Sequence, residues 1–596
     1  MEKGIATVCL SGTLEEKLAA AAEAGFDVVE IFEPDLIGCP LTPAEVRARA
    51  DALGLRIALY QPFRDFEAVP PPALARNLRR AEAKFDVMDA LGADVMLVCS
   101  NVDGDPIDDD DLAAEQLHEL AERAVARGMR IAYEALAWGR HVDTYDHAWR
   151  IVAAAGHPAL GLCLDSFHIL SRRSDPRGIR SIPADKLFFL QLADAPRMAM
   201  DVLQWSRHYR CFPGQGDFDL KDFCGHVLAA GYDGPLSLEV FNDVFRGSDP
   251  VRTAIDAMRS LLVLEDELCL TALPPAPALD GYAFAELAVT PQSAAEIERQ
   301  LEALGLTLVG PHRTKPVQLW SARDARVVLN HGDPRGEGIV AFAIESADAT
   351  RSVQRSEALG APVLARRRQP GEADLAAIAA PDGTSVFFAD PEHDWQHDFV
   401  ALDGRGGEGP PAARLAIDHL GLPQPFDAFD EAALFYRSLL DLEPTSSEEL
   451  AAPHGLVRSR AVCDLGGHVR LALNVPVLAG LGDPAPQHLA FACDDAVGLA
   501  RAVRDRGLAP LRIPDNYYDD LDARLDLDDD LLAALRELDV LYDRDEHGEL
   551  LHFYLPAVGR VFLEILERRG GYGGFGARNS PVRMAAQERG MARWPA

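Results

Sequence analysis

The chain has 596 residues, of which 48% are apolar and 26% are charged. This is the composition of ordinary globular domains, and it excludes a disordered, fibrous or collagen-like protein. The chain has 58 lysines and arginines against 94 aspartates and glutamates, so its net charge is −36. Because such a surface repels nucleic acid and anionic lipid, we expect neither as a partner.

Cysteine usage and hydropathy indicate a reduced compartment. The nine cysteines are scattered and include no CxxC pair, which is typical of a cytosolic protein. The first residues, MEKGIATVCL, lack the basic and long apolar segments of a signal peptide. No window approaches about 18 uninterrupted apolar residues. We therefore expect a cytoplasmic protein without a membrane span.

Two segments rich in proline or glycine predict joints between domains. They are TALPPAPALD at residues 271–280 and GRGGEGPPAAR at residues 404–414. They divide the chain into three predicted domains, 1–270, 281–398 and 412–596. These lengths are ordinary for single domains, and the first has the size of a barrel.

The first domain alternates short apolar runs with amphipathic helical patterns. The strand candidates are IATVCL, VVEIF, RIALYQP, DVMLVCS, RIAYEAL, LGLCLD, LFFLQLAD and LSLEVF. Eight strands alternating with helices over about 250 residues predict an α/β fold, the parallel (β/α)8 barrel. An open doubly wound sheet is the alternative, but no GxGxxG follows the first strand.

The second and third domains share a different order of elements. Each begins with an apolar strand (YAFAELAV; RLAIDHLGL) and a helix, then has several short strands and a second apolar run (GIVAFAIE; PQHLAFAC). Each also has a late strand (GTSVFFAD; RVFLEILER). Because the order occurs twice, we predict an α+β region made of two tandem βαβββ modules.

Acidic and amide side chains stand at the ends of the barrel strands. Glu30 and Glu33 close the second strand. The later strands supply four further oxygen ligands: Glu134, Asp165, Gln191 and Glu239. Any one of the carboxylates among these residues could instead cap the helix that follows it. Four at the carboxyl ends of strands, where barrel chemistry occurs, favour a site for a hard divalent ion such as Mg²⁺ or Mn²⁺.

On these residues the first domain resembles the xylose-isomerase-like sugar isomerase barrels. That family holds one metal with a Glu, an Asp, a His or Gln, and a Glu from four strands. Glu134, Asp165, Gln191 and Glu239 match those positions, and CFPGQGDFDL at 211–220 matches the family's PG-x-G loop. The resemblance implies Mg²⁺, Mn²⁺ or Co²⁺ in the barrel. Gln191 is a departure from the commoner His, and a neutral amide oxygen binds a metal more weakly.

The barrel followed by a dioxygenase-like tail resembles the bacterial two-domain 3-dehydroshikimate dehydratases. The resemblance implies a hydro-lyase that removes water from 3-dehydroshikimate to give protocatechuate, as in quinate and shikimate catabolism. Inosose dehydratases and sugar isomerases share the barrel motifs and stay open as alternatives. A bifunctional enzyme with an active Fe(II) dioxygenase, and a ligand sensor without activity, are further alternatives.

The implied elimination needs a base and a cation for the substrate carboxylate. His168 lies three residues beyond Asp165, so we expect it at the same mouth as the general base, with Glu33 as the second candidate. Packing against Asp165 is the alternative role for His168. For the carboxylate we favour Arg64 and Arg210, with Ser206 as a hydroxyl donor, although solvated surface arginines are equally common.

The third domain carries His419, His488 and Glu564 in apolar strands. A lone strand histidine is usually a core residue, but three ligands in this order indicate the 2-His-1-carboxylate triad of a non-haem Fe(II)-type site. With the segments 469–476, 513–521, 541–554 and 571–576, they resemble the catalytic module of 4-hydroxyphenylpyruvate dioxygenase, a member of the vicinal-oxygen-chelate superfamily. The resemblance implies a second divalent metal at this triad and self-association through the C-terminal half.

The substrate residues of that dioxygenase family are not all present. The usual SQ before the second His is missing, the usual LLQ is Leu550-Leu551-His552, and the C-terminal helix lacks its pocket-closing Phe. We therefore expect negligible turnover of hydroxyphenylpyruvate and a structural, assembly or regulatory role for the C-terminal half. The middle domain resembles the family's non-catalytic module. Glu286 stands at its first ligand position, and we expect no metal there.

Overall fold

The architecture is that of a computed structural model, which describes residues 1–102, 106–365, 368–402, 414–476 and 486–591. The chain forms two compact units, Met1–Leu273 and Pro274–Ala596. This division lies within the first predicted joint. The second predicted joint, except for Arg414, lies outside the described residues, so the three-domain division stays a prediction.

The first unit is a closed barrel of eight parallel strands in sequential order, which confirms the predicted (β/α)8 fold. The strands are β1 (Lys3–Ala6), β2 (Val28–Phe32), β3 (Arg56–Phe63), β4 (Val95–Cys99), β5 (Arg130–Glu134), β6 (Leu160–Asp165), β7 (Leu187–Leu192) and β8 (Leu236–Leu238). β1 is shorter than IATVCL, because a 3-10 turn follows at Thr7–Cys9, where the Thr7 hydroxyl accepts the Phe32 N–H.

Local sequence signals set the helices around the barrel. Thr13 with Glu16, and Thr42 with Glu45, form capping boxes at two helix starts, and Gly92 takes the left-handed conformation that ends the longest helix. The helices are α1 (Leu14–Glu23), α2 (Glu33–Ile37), α3 (Pro43–Ala52), α4 (Pro71–Leu91), α5 (Asp110–Val125), α6 (Tyr145–Ala155), α7 (Ser166–Ser171), α8 (Val202–His208), α9 (Leu220–Ala229) and α10 (Pro250–Glu267). Their apolar faces bury one continuous core against the strands.

The second unit opens with a seven-stranded mixed sheet in the order β10-β11-β12-β9-β13-β15-β14. Its strands are β9 (Leu279–Ala288), β10 (Thr307–Pro311), β11 (Val317–Ala322), β12 (Ala325–Asn330), β13 (Gly338–Ser346), β14 (Ala376–Ala379) and β15 (Ser385–Ala389). Its helices are α11 (Pro291–Leu304) and α12 (Ala349–Ala358).

An eight-stranded sheet follows in the order β17-β18-β19-β16-β20-β23-β22-β21. Its strands are β16 (Ala416–Pro423), β17 (Glu443–Ala452), β18 (Gly455–Cys463), β19 (Arg470–Pro476), β20 (Gln487–Ala492), β21 (Leu541–Arg544), β22 (Gly548–Tyr554) and β23 (Val561–Gly570). Its helices are α13 (Phe429–Leu440), α14 (Ala496–Asp505), α15 (Asp515–Leu525), α16 (Asp529–Leu538) and α17 (Ser580–Met591). The order repeats that of the first sheet with one strand added, which confirms the two tandem modules.

Among the described helices, none combines the length and the apolar character needed to cross a membrane.

Candidate active site and metal centres

The carboxyl ends of the barrel strands surround a cavity of about 660 Å³. Because all eight strands are parallel, side chains that end each strand meet at this one mouth. The predicted site residues that line the cavity are Glu33, Arg64, Glu134, His168, Ser206, Arg210 and Glu239. Asp165 lies directly beside them, and Gln191 pairs with Asp165 across β6 and β7.

Glu134, Asp165 and His168 bring their donor atoms together in one buried cluster. One donor atom from each lies within 4.8 Å of the others, and all three side chains are buried. Among the described residues, Glu134 Oε1 has no hydrogen-bond partner. Burial, and then the charges of Asp165 and Glu239, raise the pKa of Glu134 well above its usual value. An unsatisfied buried carboxylate oxygen among like charges fits a bound cation.

Arg210 joins two of the predicted ligands. Its Nη1 donates to Asp165 Oδ2 at 2.8 Å and to Glu239 Oε2 at 3.1 Å, while Nε and Nη2 donate to Ser206 Oγ at 3.1 and 2.8 Å. Burial acts to raise the pKa of Asp165, but Arg210 and His168 outweigh it and the pKa is lowered. Burial raises the pKa of Glu239 to about 7 despite Arg210. The guanidinium is therefore engaged with protein acceptors.

His168 has one ring nitrogen that accepts a hydrogen bond and one that carries the ring proton. The Ala137 N–H donates to Nδ1 at 3.0 Å, so the proton of the neutral ring is on Nε2, which lies 3.2 Å from Arg210 Nη2 and 3.9 Å from Asp165 Oδ2. Burial, with Arg210 and Arg64, lowers the pKa of His168 to about 3 although Asp165 opposes the shift. The ring is therefore neutral near pH 7, and neither nitrogen presents a free lone pair to the cavity.

Glu30 orients Gln191 through a hydrogen bond, a role that the sequence did not predict. Glu30 Oε2 accepts from Gln191 Nε2 at 2.6 Å and from Gln61 Nε2 at 2.8 Å, and Ser237 Oγ donates to Oε1. Burial raises the pKa of Glu30 to about 8, with Glu239 adding to the shift. Since Glu30 holds the amide nitrogen, the oxygen of Gln191 is directed away from it, where the Cys163 thiol lies 3.4 Å off.

Two further side chains shape the mouth beside Glu33. The Tyr60 hydroxyl donates to Glu33 Oε1 at 2.8 Å, and Lys84 Nζ forms an ion pair with the same oxygen. Tyr60 lies within β3, so the strand pattern of the sequence could have indicated it. Lys84 lies in the middle of α4, and the local sequence around a charged helix residue does not indicate a distant partner.

Asp194, just after β7, anchors the PG-x-G loop. Its Oδ2 accepts from Gly214 N at 3.0 Å and Gly216 N at 3.1 Å, and its Oδ1 accepts from Phe218 N at 2.9 Å and Ala195 N at 2.8 Å. A further antiparallel bridge joins Asp194 to Cys211, next to Arg210. The loop expected from the PG-x-G motif thus fixes where the Arg210 guanidinium lies.

The predicted C-terminal triad also comes together. His419, His488 and Glu564 offer donor atoms within 4.8 Å of one another. The two Nε2 atoms are 3.0 Å apart, and Glu564 Oε2 lies 3.5 Å from His419 Nε2 and 3.7 Å from His488 Nε2. Two imidazoles and one carboxylate with their donor atoms converging are suited to a divalent transition metal.

Neighbouring side chains orient two of these three residues, His419 and Glu564. His419 Nδ1 lies 2.7 Å from Asp418 Oδ1, and Arg568 holds that carboxylate through Nε and Nη2. His552 accepts from Asn579 Nδ2 at Nε2, so its Nδ1 donates to Glu564 Oε1 at 2.7 Å. These contacts leave His419 Nε2 and Glu564 Oε2 to face the centre of the triad, as outer hydrogen bonds do in metal sites.

The first sheet of the second unit differs at the equivalent place. Glu286 Oε1 accepts from Asn330 Nδ2 at 2.6 Å. That the middle module binds no metal stays a prediction.

Comparisons with known proteins agree with this architecture. The profile of the xylose isomerase-like TIM barrel family matches residues 18–261. The 3-dehydroshikimate dehydratases of Pseudomonas aeruginosa and Pseudomonas putida are 45% and 44% identical, covering 98% and 100% of this chain and the same shares of their own. A solved xylose isomerase-like TIM barrel/4-hydroxyphenylpyruvate dioxygenase fusion protein is 43% identical, covers 99% of this chain and 100% of its own, and has a TM-score of 0.91.

The fold and its sites define a xylose isomerase-like TIM barrel joined to a dioxygenase-like region. Because its full-length relatives are 45% identical, the chain belongs to the family of two-domain 3-dehydroshikimate dehydratases. The family expected from the sequence is thereby confirmed.

The Glu30 contact predicts a loss of metal affinity without a loss of fold. In Glu30→Gln the new amide can place an N–H group against Gln191 Nε2, which is itself a donor. Because two donors do not pair, the Gln191 amide would rotate and its oxygen would move. We expect the barrel to bind a divalent metal about 10–100-fold more weakly, as for other outer contacts. Calorimetric metal titration measures this, with Glu265→Gln, a buried carboxylate on α10, as the control. Equal affinity in Glu30→Gln and wild type would contradict the role of Glu30.

A second prediction concerns the backbone next to the C-terminal triad. A Cβ on Gly421 would lie 1.9 Å from ring atoms of His488, so Gly421→Ala must displace that ligand. We expect loss of the C-terminal metal while the barrel metal is retained, measured by elemental analysis after dialysis. Gly573→Ala is the control, because nothing lies within 4 Å of its Cβ position. Full metal content in Gly421→Ala would refute the assignment of His488.

Proposed function

We propose that the barrel mouth removes water from 3-dehydroshikimate to give protocatechuate, as a metal-dependent carbon–oxygen lyase. The observation that supports this most is the pair of buried carboxylates of Glu134 and Asp165 at the cavity of about 660 Å³, with one glutamate oxygen unsatisfied. The full-length relatives named 3-dehydroshikimate dehydratase support the choice of substrate.

The reaction places negative charge on the ketone oxygen of the substrate, and this charge has to be stabilised. A base takes the proton alpha to the ring ketone, and the electron pair of that C–H bond forms an enolate. The enolate collapses as the beta C–O bond breaks, and the hydroxyl leaves with a proton as water. One more ring proton then passes to the ketone oxygen, which completes the aromatic ring. A bound divalent cation supplies Lewis acidity for the enolate oxygen.

The charges at the mouth match a divalent ion. In the proposal, Glu134, Asp165 and Glu239 hold the metal with the amide oxygen of Gln191. Arg210 donates to Asp165 and Glu239, so three carboxylates and one guanidinium leave two negative charges when all are ionised. The identity of the ion is open to Mg²⁺, Mn²⁺ or Co²⁺, since all accept oxygen ligands.

Arg64 is the better placed cation for the substrate carboxylate. Arg210 is engaged with Asp165, Glu239 and Ser206 and acts as a positioning residue. Within the described ranges, only the backbone carbonyl of Arg64 has a hydrogen bond, from Arg80, and its guanidinium lines the cavity. A guanidinium with open donors suits bidentate binding of a carboxylate.

Glu33 is the better placed base. It lines the cavity, and its carboxylate accepts a hydrogen bond from Tyr60 and forms an ion pair with Lys84. His168 can accept a second proton only at Nδ1, where it would give up the hydrogen bond from the Ala137 N–H. Its cation would also lie beside the Arg210 guanidinium. We therefore assign His168 to positioning of Asp165 and the cavity wall.

The metal assignment predicts that Glu134→Ala and Glu239→Ala abolish turnover. Removing one ligand leaves the remaining charges unable to hold the ion and the enolate unstabilised. Near-ultraviolet absorbance of the aromatic product measures turnover, and it separates dehydration from sugar isomerisation, which forms no chromophore. A chelator should remove the signal and metal add-back restore it. Product formation by either variant at the wild-type rate would refute the site.

The choice of base predicts unequal effects at two residues that line the cavity. Glu33→Gln should lower kcat by about 10²–10⁴-fold. His168→Gln should lower kcat by less than about tenfold, because the residue only positions its neighbours. The reverse ranking of the two kcat values would return the base role to His168.

Two statements about the C-terminal half stay predictions: self-association through it, and negligible turnover of hydroxyphenylpyruvate.

A further inference from the structure

The C-terminal helix α17 places a cation near the His419–His488–Glu564 triad. Arg583 and Gln587 are four residues apart and lie on one face of the helix, where Arg583 Nη1 donates to Gln587 Oε1 at 2.7 Å. The family's aromatic residue is missing from this region of the sequence. The helix thus carries a charged and an amide side chain on one face.

Aromatic rings connect Arg583 to the triad. Its guanidinium carbon lies 4.9 Å from the centre of the Phe562 ring and 5.7 Å from that of Tyr554. Phe562 in turn stacks on the His488 ring, with centroids 5.1 Å apart and planes at 19°. The cation and one residue of the triad therefore contact the same aromatic ring.

Both side chains on α17 have unused donors. Within the part of the chain that the structure describes, Arg583 has no carboxylate partner, and Gln587 Nε2 has no hydrogen-bond partner although only 7% of that residue is exposed. A buried donor without an acceptor destabilises the fold unless a ligand satisfies it. A carboxylate is the acceptor that suits a guanidinium and an amide together.

We propose that Arg583 and Gln587 bind the carboxylate of a small dihydroxybenzoate whose two neighbouring hydroxyl oxygens chelate the metal of the triad. The carboxylate and the hydroxyl pair lie at opposite ends of one ring, and Phe562 contacts both the cation and one of the triad residues. Three protein ligands leave positions open for two oxygens. Phe575, 5.1 Å from His419, adds a second aromatic wall.

The proposal rests on the proposed function for its ligand. Protocatechuate, the product of the barrel reaction, carries both features and is the probe. The C-terminal site would then be a product-binding site, separate from the mouth where the product forms.

The test uses the full-length chain carrying Glu134→Ala, so that the barrel neither forms product nor holds its metal. This protein is loaded with Co²⁺ and titrated with protocatechuate, and the visible bands of the metal report binding. We expect a saturable spectral change whose Kd rises at least tenfold in Arg583→Met. Arg589→Met, exposed on the same helix, is the control and should bind within twofold of the parent.

Truncated ligands test the two ends separately. Catechol lacks the carboxylate and benzoate lacks the hydroxyls, and each should bind at least tenfold more weakly than protocatechuate. An unchanged Kd in Arg583→Met, catechol binding as tight as protocatechuate, or no spectral change at millimolar ligand would overturn the proposal. The dehydratase assay on wild-type protein is independent, so its failure would remove the proposed function without altering these outcomes.

Discussion

The barrel depends on one buried guanidinium placed between two carboxylates. Arg210 is 1% exposed, touches Asp165 and Glu239, and lies 4.6 Å from the Phe167 ring, so its charge has no access to water. A buried arginine is costly unless its donors are satisfied, and here acids from two strands satisfy them. The same contacts hold the acids at a spacing that a divalent ion can use.

Everything around this contact limits its movement. Asp194 gathers four backbone N–H groups of its own turn and of the loop that follows Arg210, and Glu30 holds Gln191 from the barrel interior. These two carboxylates point away from the cavity and do not touch it. Their hydrogen bonds restrain the residues around the cavity, so that the oxygen atoms there have fixed positions. Metal-assisted proton chemistry requires such fixed positions.

The two sites of the chain differ in their chemistry. The barrel mouth is dominated by carboxylates and an amide, hard ligands that suit an ion used as a Lewis acid. The C-terminal triad offers two imidazoles and a single carboxylate, and hydrogen bonds from outside the triad hold His419 and Glu564. His552 replaces the glutamine usual in its family and still serves the site, because its Nδ1–H holds the outer oxygen of Glu564.

By itself the sequence determined the strand and helix order, the barrel and the duplicated modules, and it pointed to Glu134, Asp165, His419, His488 and Glu564 as residues that come together. These follow from local periodicity, since a strand brings every second side chain to one face and a barrel gathers its strand ends. Only the tertiary structure decided the pairs Glu30–Gln191 and Glu33–Lys84, the engagement of Arg210, and the position of Arg583. The packing of distant elements determines which of their residues become partners. The local sequence around a single charged helix residue therefore does not predict its partner.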